Sequence, residues 1–222
     1  MITNALISAV KSERAAHAYL FTGSRGTGKT TCAKILSKAV NCISPKNGDP
    51  CNQCAICKGI DGDSILDVTE IDAASNNGVD NIRDLREEAF YTPVAAKYRV
   101  FIIDEVHMLS AGAFNALLKI LEEPPAHVIF ILATTEVHKI PATILSRCQR
   151  FDFRRIPPEK ISQRLLFVSE NEGIDLSRDA AAVVFDPDPL SVFDLKIPRR
   201  YGMNLDIGIR IAFSEPGYVS VF

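Results

Sequence analysis

Two hydrophobic rhythms alternate along this chain. Short apolar runs give way to stretches in which apolar residues return every three or four positions, and the exchange repeats several times. Residues 4 to 10 read as helical. "AHAYLFTG", ending at Gly23, reads as a short buried strand running into a glycine loop. From Thr30 onward, "TCAKILSKAV" places Ala33, Ile35, Leu36, Ala39 and Val40 on one side of an amphipathic helix. Residues 64–72 predict a second strand. Residues 78–90 predict a helix on the 3–4 spacing of Val79, Ile82, Leu85 and Ala89. "YRVFIIDE" (98–105) is apolar on both faces, as a central parallel strand is. Residues 110–123 predict a helix capped by Ser110 and stopped by Pro124 and Pro125. "HVIFILATT" (127–135) is a fourth strand, and the alternating "QRFDFRRI" is a candidate fifth. Strand and helix exchange throughout, so the expected fold class is α/β, a parallel sheet covered by helices.

After Ile156 the pattern changes. "PPEK" opens a proline hinge and the chain continues as helices. Near Phe185 it changes again: "FDPDPL" breaks the helix, and Leu205, Ile207, Ile209 and Ile211 then alternate as in a strand. The expected organisation is a core over 1–156, a partial helical segment over 157–184 and a separate tail over 185–222.

Charge and composition narrow the possibilities. A formal net charge of −2 argues against a general electrostatic clamp on nucleic acid. No apolar run reaches the eighteen or so residues of a membrane span, and the N-terminus lacks signal-peptide anatomy. The chain reads as cytoplasmic, where clustered cysteines point to metal more than to disulfides.

"GSRGTGKT" (23–30) fits G-x-x-x-x-G-K-[ST]. Gly23, Ser24, Arg25, Gly26, Thr27 and Gly28 let the backbone curl its N–H groups toward phosphate oxygens. Lys29 reaches the β- and γ-phosphates, Thr30 holds Mg²⁺, and Thr31 follows on the helix. A second half-site is "VFIIDEVH": a carboxylate at the edge of a central strand, Asp104, holds the Mg²⁺ shell, and Glu105 is placed to orient or deprotonate water. Acidic pairs also cap helices; the phosphate loop is what favours the catalytic reading. Thr135, closing the fourth strand, is placed to sense the γ-phosphate or to act as a cap. Arg147 in "SRC" carries no mechanical meaning by itself.

Cys42, Cys51, Cys54 and Cys57 follow C-x8-C-x2-C-x2-C. The spacing suits tetrahedral Zn²⁺ with four thiolates. An iron–sulfur run competes, although position 61 is aspartate where that run places a cysteine; a redox pair is the third option. Four protein ligands leave no open position, so the metal would be structural. Cys32 and Cys148 read as ordinary buried thiols.

Taken together, "AHAYLFTGSRGTGKTT", the four-cysteine insert, "EIDAASNNGVDNIRDL", "DEVHMLSAGAFNALLKILEEPP" and "LATTEVHKIPATILSRCQRFDF" resemble the bacterial DNA polymerase III gamma/tau family, the AAA+ clamp-loader ATPases, from about residue 2 to about 182. The resemblance implies a P-loop NTPase fold with a zinc-binding insert at about 42–57 and the start of a small helical lid. It implies ATP and Mg²⁺ as ligands and structural Zn²⁺. It also implies work with delta, delta-prime and further gamma/tau subunits to load a sliding clamp onto primed DNA. Arg147 matches the family's arginine finger, acting in trans on a neighbour's ATP, and Thr135 matches the sensor position. The polymerase name belongs to the holoenzyme; nothing here predicts nucleotidyl transfer. Two departures stand out. Members begin with an adenine-contacting segment, whereas Met1 falls inside the next helix, and the likeness fades after about Val184. A truncated or frameshifted reading is the expectation. It sustains an alternative function, a non-hydrolysing assembly subunit or fragment that keeps the fold and the zinc module. An unrelated zinc protein binding nucleic acid directly is disfavoured by the insert's few basic residues.

Overall fold

A computed structural model describes residues 2–12 and 15–183. Helix α1 (Ile2–Lys11) leads to strand β1 (Ala18–Thr22), α2 (Lys29–Asn41), α3 (Ala55–Asp61), β2 (Val68–Asp72), α4 (Val79–Ala89) and β3 (Arg99–Asp104). Then come α5 (Ala111–Glu122), β4 (Val128–Thr134), α6 (Ala142–Leu145) and β5 (Gln149–Asp152). Short 3₁₀ turns at Val106–Met108 and Val137–Lys139 follow β3 and β4. The strands pair in parallel in the order β2-β3-β4-β1-β5. Parallel neighbours require crossovers, and the helices between strands supply them.

The two-residue period of a strand sorts the core into two layers. Ala18 and Leu20 of β1, Phe101 and Ile103 of β3, and Phe130 and Leu132 of β4 pack with α4 and α5. The intervening residues Tyr19, Phe21, Val100, Ile102, Ile129 and Ile131 pack with α1 and α2. Both faces of the central strands are therefore dry, which explains why these strands read as unbroken apolar runs. Ser110 caps α5 by accepting from the Ala113 N–H at 3.2 Å. The helix ends at Glu122 because a residue before proline is driven out of the α region, and Pro124 follows.

Three sequence expectations need correction. Ile35 is 45% exposed, not on the apolar side of its helix. At 100° per residue it lies about 100° from Leu36, whereas Ala33, Ala39 and Val40 fall within about 60°. The second strand starts at Val68 rather than at residue 64. A turn at Leu66 and Asp67 precedes it, and the Asp67 carboxylate is buried, accepting N–H groups from Val94 (2.8 Å), Ala95 (2.7 Å) and Ala96 (2.9 Å). Its side chain thus fastens the loop before β3. Cys32 and Cys148 are half-buried, not buried; each packs at the margin of a core layer.

The chain divides into two compact units, residues 1–154 and 155–222. The described part of the second holds α7 (Pro158–Glu172) and α8 (Arg178–Val183). Gly173 ends α7 at φ 69°, and Ser162 Oγ donates to the Ala181 carbonyl at 2.9 Å, joining the two helices. The strand expected near Leu205 and the tail over 185–222 lie outside the described residues.

Candidate functional site

The carboxyl ends of β1, β3 and β4 meet at one edge of the sheet, where open α/β folds bind ligands. β1 runs into the 23–30 loop. Gly23 has φ 149°, and a Cβ there would stand 2.3 Å from the Phe153 carbonyl oxygen, so only glycine fits. Gly28, at φ 87°, turns the loop directly into α2. Lys29 is the first residue of that helix and is 6% exposed. Its ammonium donates to the carbonyls of Gly23 (2.9 Å) and Ser24 (3.1 Å). Burial draws the Lys29 amine below its ordinary pKa, against the pull of Glu105 and Asp104. Thr27 Oγ1 closes the curl by donating to the Ser24 carbonyl at 2.8 Å.

Thr30 Oγ1 donates to Asp104 Oδ2 at 2.6 Å, so the hydroxyl of α2 and the carboxylate of β3 share one point. Asp104 Oδ1 accepts the Glu105 N–H at 2.8 Å. Glu105 itself sits at φ 45°, ψ 44°, a left-handed conformation that costs a non-glycine residue about 1–3 kcal/mol. Its Oε2 accepts from Thr135 through Oγ1 (3.0 Å) and the backbone N–H (3.3 Å). A cleft of about 580 Å³ is lined by Arg25, Gly26, Gly28, Lys29, Thr30, Thr31, Asp104 and Glu105, and also by Asp72 and Ala74.

The structure thus gathers most of the sequence-predicted nucleotide residues around one cleft. Gly23, Ser24 and Thr27 shape the loop from behind, and Thr135 reaches the cleft through Glu105. Arg147 is not among the lining residues. It sits at the end of α6, donating to the Thr143 carbonyl (2.8 Å) and to Glu122 Oε1 (2.7 Å). Sequence reasoning missed Asp72, Ala74, His107 and Thr134. Asp72 had a signal: like Asp104 it is an acid that closes a strand, and the structure sets the two in register.

The four clustered cysteines also converge. Their sulfurs all lie within 4.8 Å of one another. A tetrahedral zinc, with Zn–S of about 2.3 Å, holds its sulfurs about 3.8 Å apart, so the donor set fits. Backbone N–H groups of Cys51, Cys54 and Cys57 donate to the sulfurs of Cys42, Cys51 and Cys54 at 3.3, 3.3 and 3.4 Å. The N–H groups of Gln53 and Cys54 pull the Cys51 thiol down to about 5, while burial pushes Cys57 up to about 12. A divalent cation held there would draw all four to the thiolate form. Lys38 of α2, its side chain 11% exposed, ties this insert to the core: its ammonium donates to Asn52 Oδ1 (3.0 Å) and Asp61 Oδ1 (2.8 Å).

Comparison with known proteins fits this geometry. A family model described as DNA polymerase III, delta subunit, matches residues 1–157. DNA polymerase III subunit tau of Bacillus subtilis (strain 168) is 55% identical over 202 residues, covering 88% of this chain and 36% of the relative. The chain belongs to the DNA polymerase III gamma/tau family. Another gamma/tau relative, the gamma/tau subunit of Mycoplasma pneumoniae, is 49% identical over 185 residues, 83% of this chain and 27% of its own length. The gamma subunit of Buchnera aphidicola subsp. Acyrthosiphon pisum is 48% identical over 174 residues, 78% and 48% of the two chains. The chain therefore spans only a quarter to a half of these gamma/tau relatives. Among solved structures, a gamma subunit-related protein of Thermotoga maritima aligns with TM-score 0.55 and 23% identity, covering 75% of this chain and 52% of that one. RuvB of Thermotoga maritima aligns with TM-score 0.55 and 14% identity, covering 82% and 52%. At these identities the likeness is one of fold: the AAA+ ATPase fold common to the gamma/tau family. Among the described residues no helix is long and apolar enough to cross a membrane.

Proposed function

We propose that this chain binds ATP with Mg²⁺ and hydrolyses it as a motor subunit of the bacterial clamp loader. The observation that carries the reading is the meeting of Lys29, Thr30, Asp104 and Glu105 at one cleft in a gamma/tau-family chain. In this reading the loop N–H groups and Lys29 hold the phosphates. Thr30 and Asp104 would hold Mg²⁺, which neutralises phosphate charge when bound. Glu105 orients and deprotonates the attacking water, with Thr135 fixing its carboxylate. Arg147, away from its own cleft, serves a neighbour's nucleotide in trans. The partners are delta, delta-prime and further gamma/tau copies, with the sliding clamp and primed DNA as the things acted upon. Cys42, Cys51, Cys54 and Cys57 hold a structural zinc; with four protein ligands that metal takes no part in the chemistry.

The test is ATP turnover by the chain with the other loader subunits, clamp and primed DNA. Turnover that rises on adding primed DNA is expected; none in the full assembly sinks the motor reading. Elemental analysis of purified protein should give one zinc per chain, and iron in comparable amount would replace that assignment.

A further inference from the structure

Resting on the hydrolytic reading of Glu105, we infer that His107 is a positioning residue that sets the aim of the Glu105 carboxylate. His107 lies in the 3₁₀ turn immediately after Glu105, and its side chain is only 6% exposed. Nδ1 stands 3.0 Å from Thr134 Oγ1 and 3.3 Å from Glu105 Oε2. Nε2 stands 3.2 Å from Glu136 Oε1. The ring therefore bridges the end of β3 to the residues that close β4.

The chemistry of the partners assigns the bridge a direction. A carboxylate only accepts, so each of these contacts needs hydrogen on the nitrogen that makes it: Nδ1 toward Glu105 and Nε2 toward Glu136. Thr134 Oγ1 already accepts the Glu136 N–H at 3.0 Å, and its own hydroxyl hydrogen remains to be placed. Nδ1 makes its hydrogen bond with Thr134 Oγ1, and Glu105 Oε2 stands beside it at 3.3 Å. The Thr135 hydroxyl and N–H both donate to Glu105 Oε2, and the His107 ring stands against that same oxygen. The backbone of Glu105 is already held in the left-handed region. Contacts gathered on Oε2 restrict how far the carboxylate can swing. A base displaced by about 1 Å loses roughly 100-fold in rate, so the grip matters to chemistry and not to nucleotide binding.

Three substitutions separate this role from packing. Asparagine puts an amide N–H where Nδ1 stands; glutamine extends its amide toward the position of Nε2; alanine keeps neither. In the assembled loader with clamp and primed DNA, His107→Ala should lower kcat roughly 10–100-fold. The KM for ATP should stay within about threefold, because no phosphate contact is touched. His107→Asn should recover kcat to within about fivefold of wild type, and His107→Gln should stay near alanine. If alanine does not fold, the asparagine–glutamine contrast gives the same reading. Wild-type kcat in the alanine or glutamine variant overturns the inference, as does an asparagine variant as slow as glutamine. A KM that rises in step with the fall in kcat overturns it too. No turnover by the unmodified chain would overturn the hydrolytic reading itself; variant effects on a turning-over loader judge His107 alone.

Discussion

Glu105→Gln is expected to cut ATP turnover by at least about 100-fold while leaving ATP bound. Glutamine has the same shape and keeps one oxygen. The Thr135 hydroxyl and N–H, at 3.0 and 3.3 Å from Oε2, can still be received, so the side chain stays in place. What it loses is the capacity to take a proton from water. Lys29, Thr30 and the loop N–H groups are untouched, and these are the groups that face phosphate in the proposed mechanism. Equilibrium binding of a labelled ATP and steady-state hydrolysis, measured on one preparation, separate the two. A variant that hydrolyses at the wild-type rate removes Glu105 from the mechanism and returns it to a structural acid beside Thr135.

The second large effect concerns stability. Asp67→Asn should cost about 3 kcal/mol, within the range for breaking a buried charged group away from its partners. Both carboxylate oxygens accept backbone N–H groups, Oδ1 from Val94 and Oδ2 from Ala95 and Ala96. An amide must turn its NH₂ toward one of those donors, leaving at least one N–H opposed and buried. Burial raises the Asp67 pKa, but the three N–H donors and nearby Arg99 more than offset it, so the net shift is downward. A depressed carboxyl pKa adds stability that is whole above the ordinary carboxylate range and disappears as pH falls through the folded-state value. The gap between wild type and Asp67→Asn should therefore hold constant from pH 7 to about pH 5 and narrow below about pH 4. Urea unfolding across that range is the measurement. A gap that does not narrow in acid would mean that the cost arises from something other than the carboxylate charge.

How far the sequence was legible depended on what each signal measures. The strands around Phe21, Ile102 and Ile131 were plain because burial on both faces leaves them without polar residues. The glycine loop over 23–30 and the acid at Asp104 stood out because the pattern they follow admits few residue types. The short helix α3 was not, since its seven residues contain Cys57 and two turns are too few for a period to show. Position along β2 misled because Asp67 reads as one more polar residue in a strand, while the fold uses it as an anchor for a loop 27 to 29 residues later. The same holds for His107. Its neighbours Thr134 and Glu136 come from another strand end, and no spacing in one chain announces that meeting.

The sheet order also sets a timetable for synthesis. Among the described strands β1 is made before the others, yet both of its partners come late: Leu20 pairs with Leu132 of β4 and with Arg150 of β5. At about 5–20 residues per second, a ribosome needs roughly 6–20 s to close that gap of about 110 residues. Throughout it, the apolar "AYLFT" waits with both edges open, and the phosphate loop hangs from a strand with no neighbours. On the proposed function, the nucleotide site is therefore not assembled on a nascent chain until β4 emerges, and the waiting strand is open to misassociation in that interval.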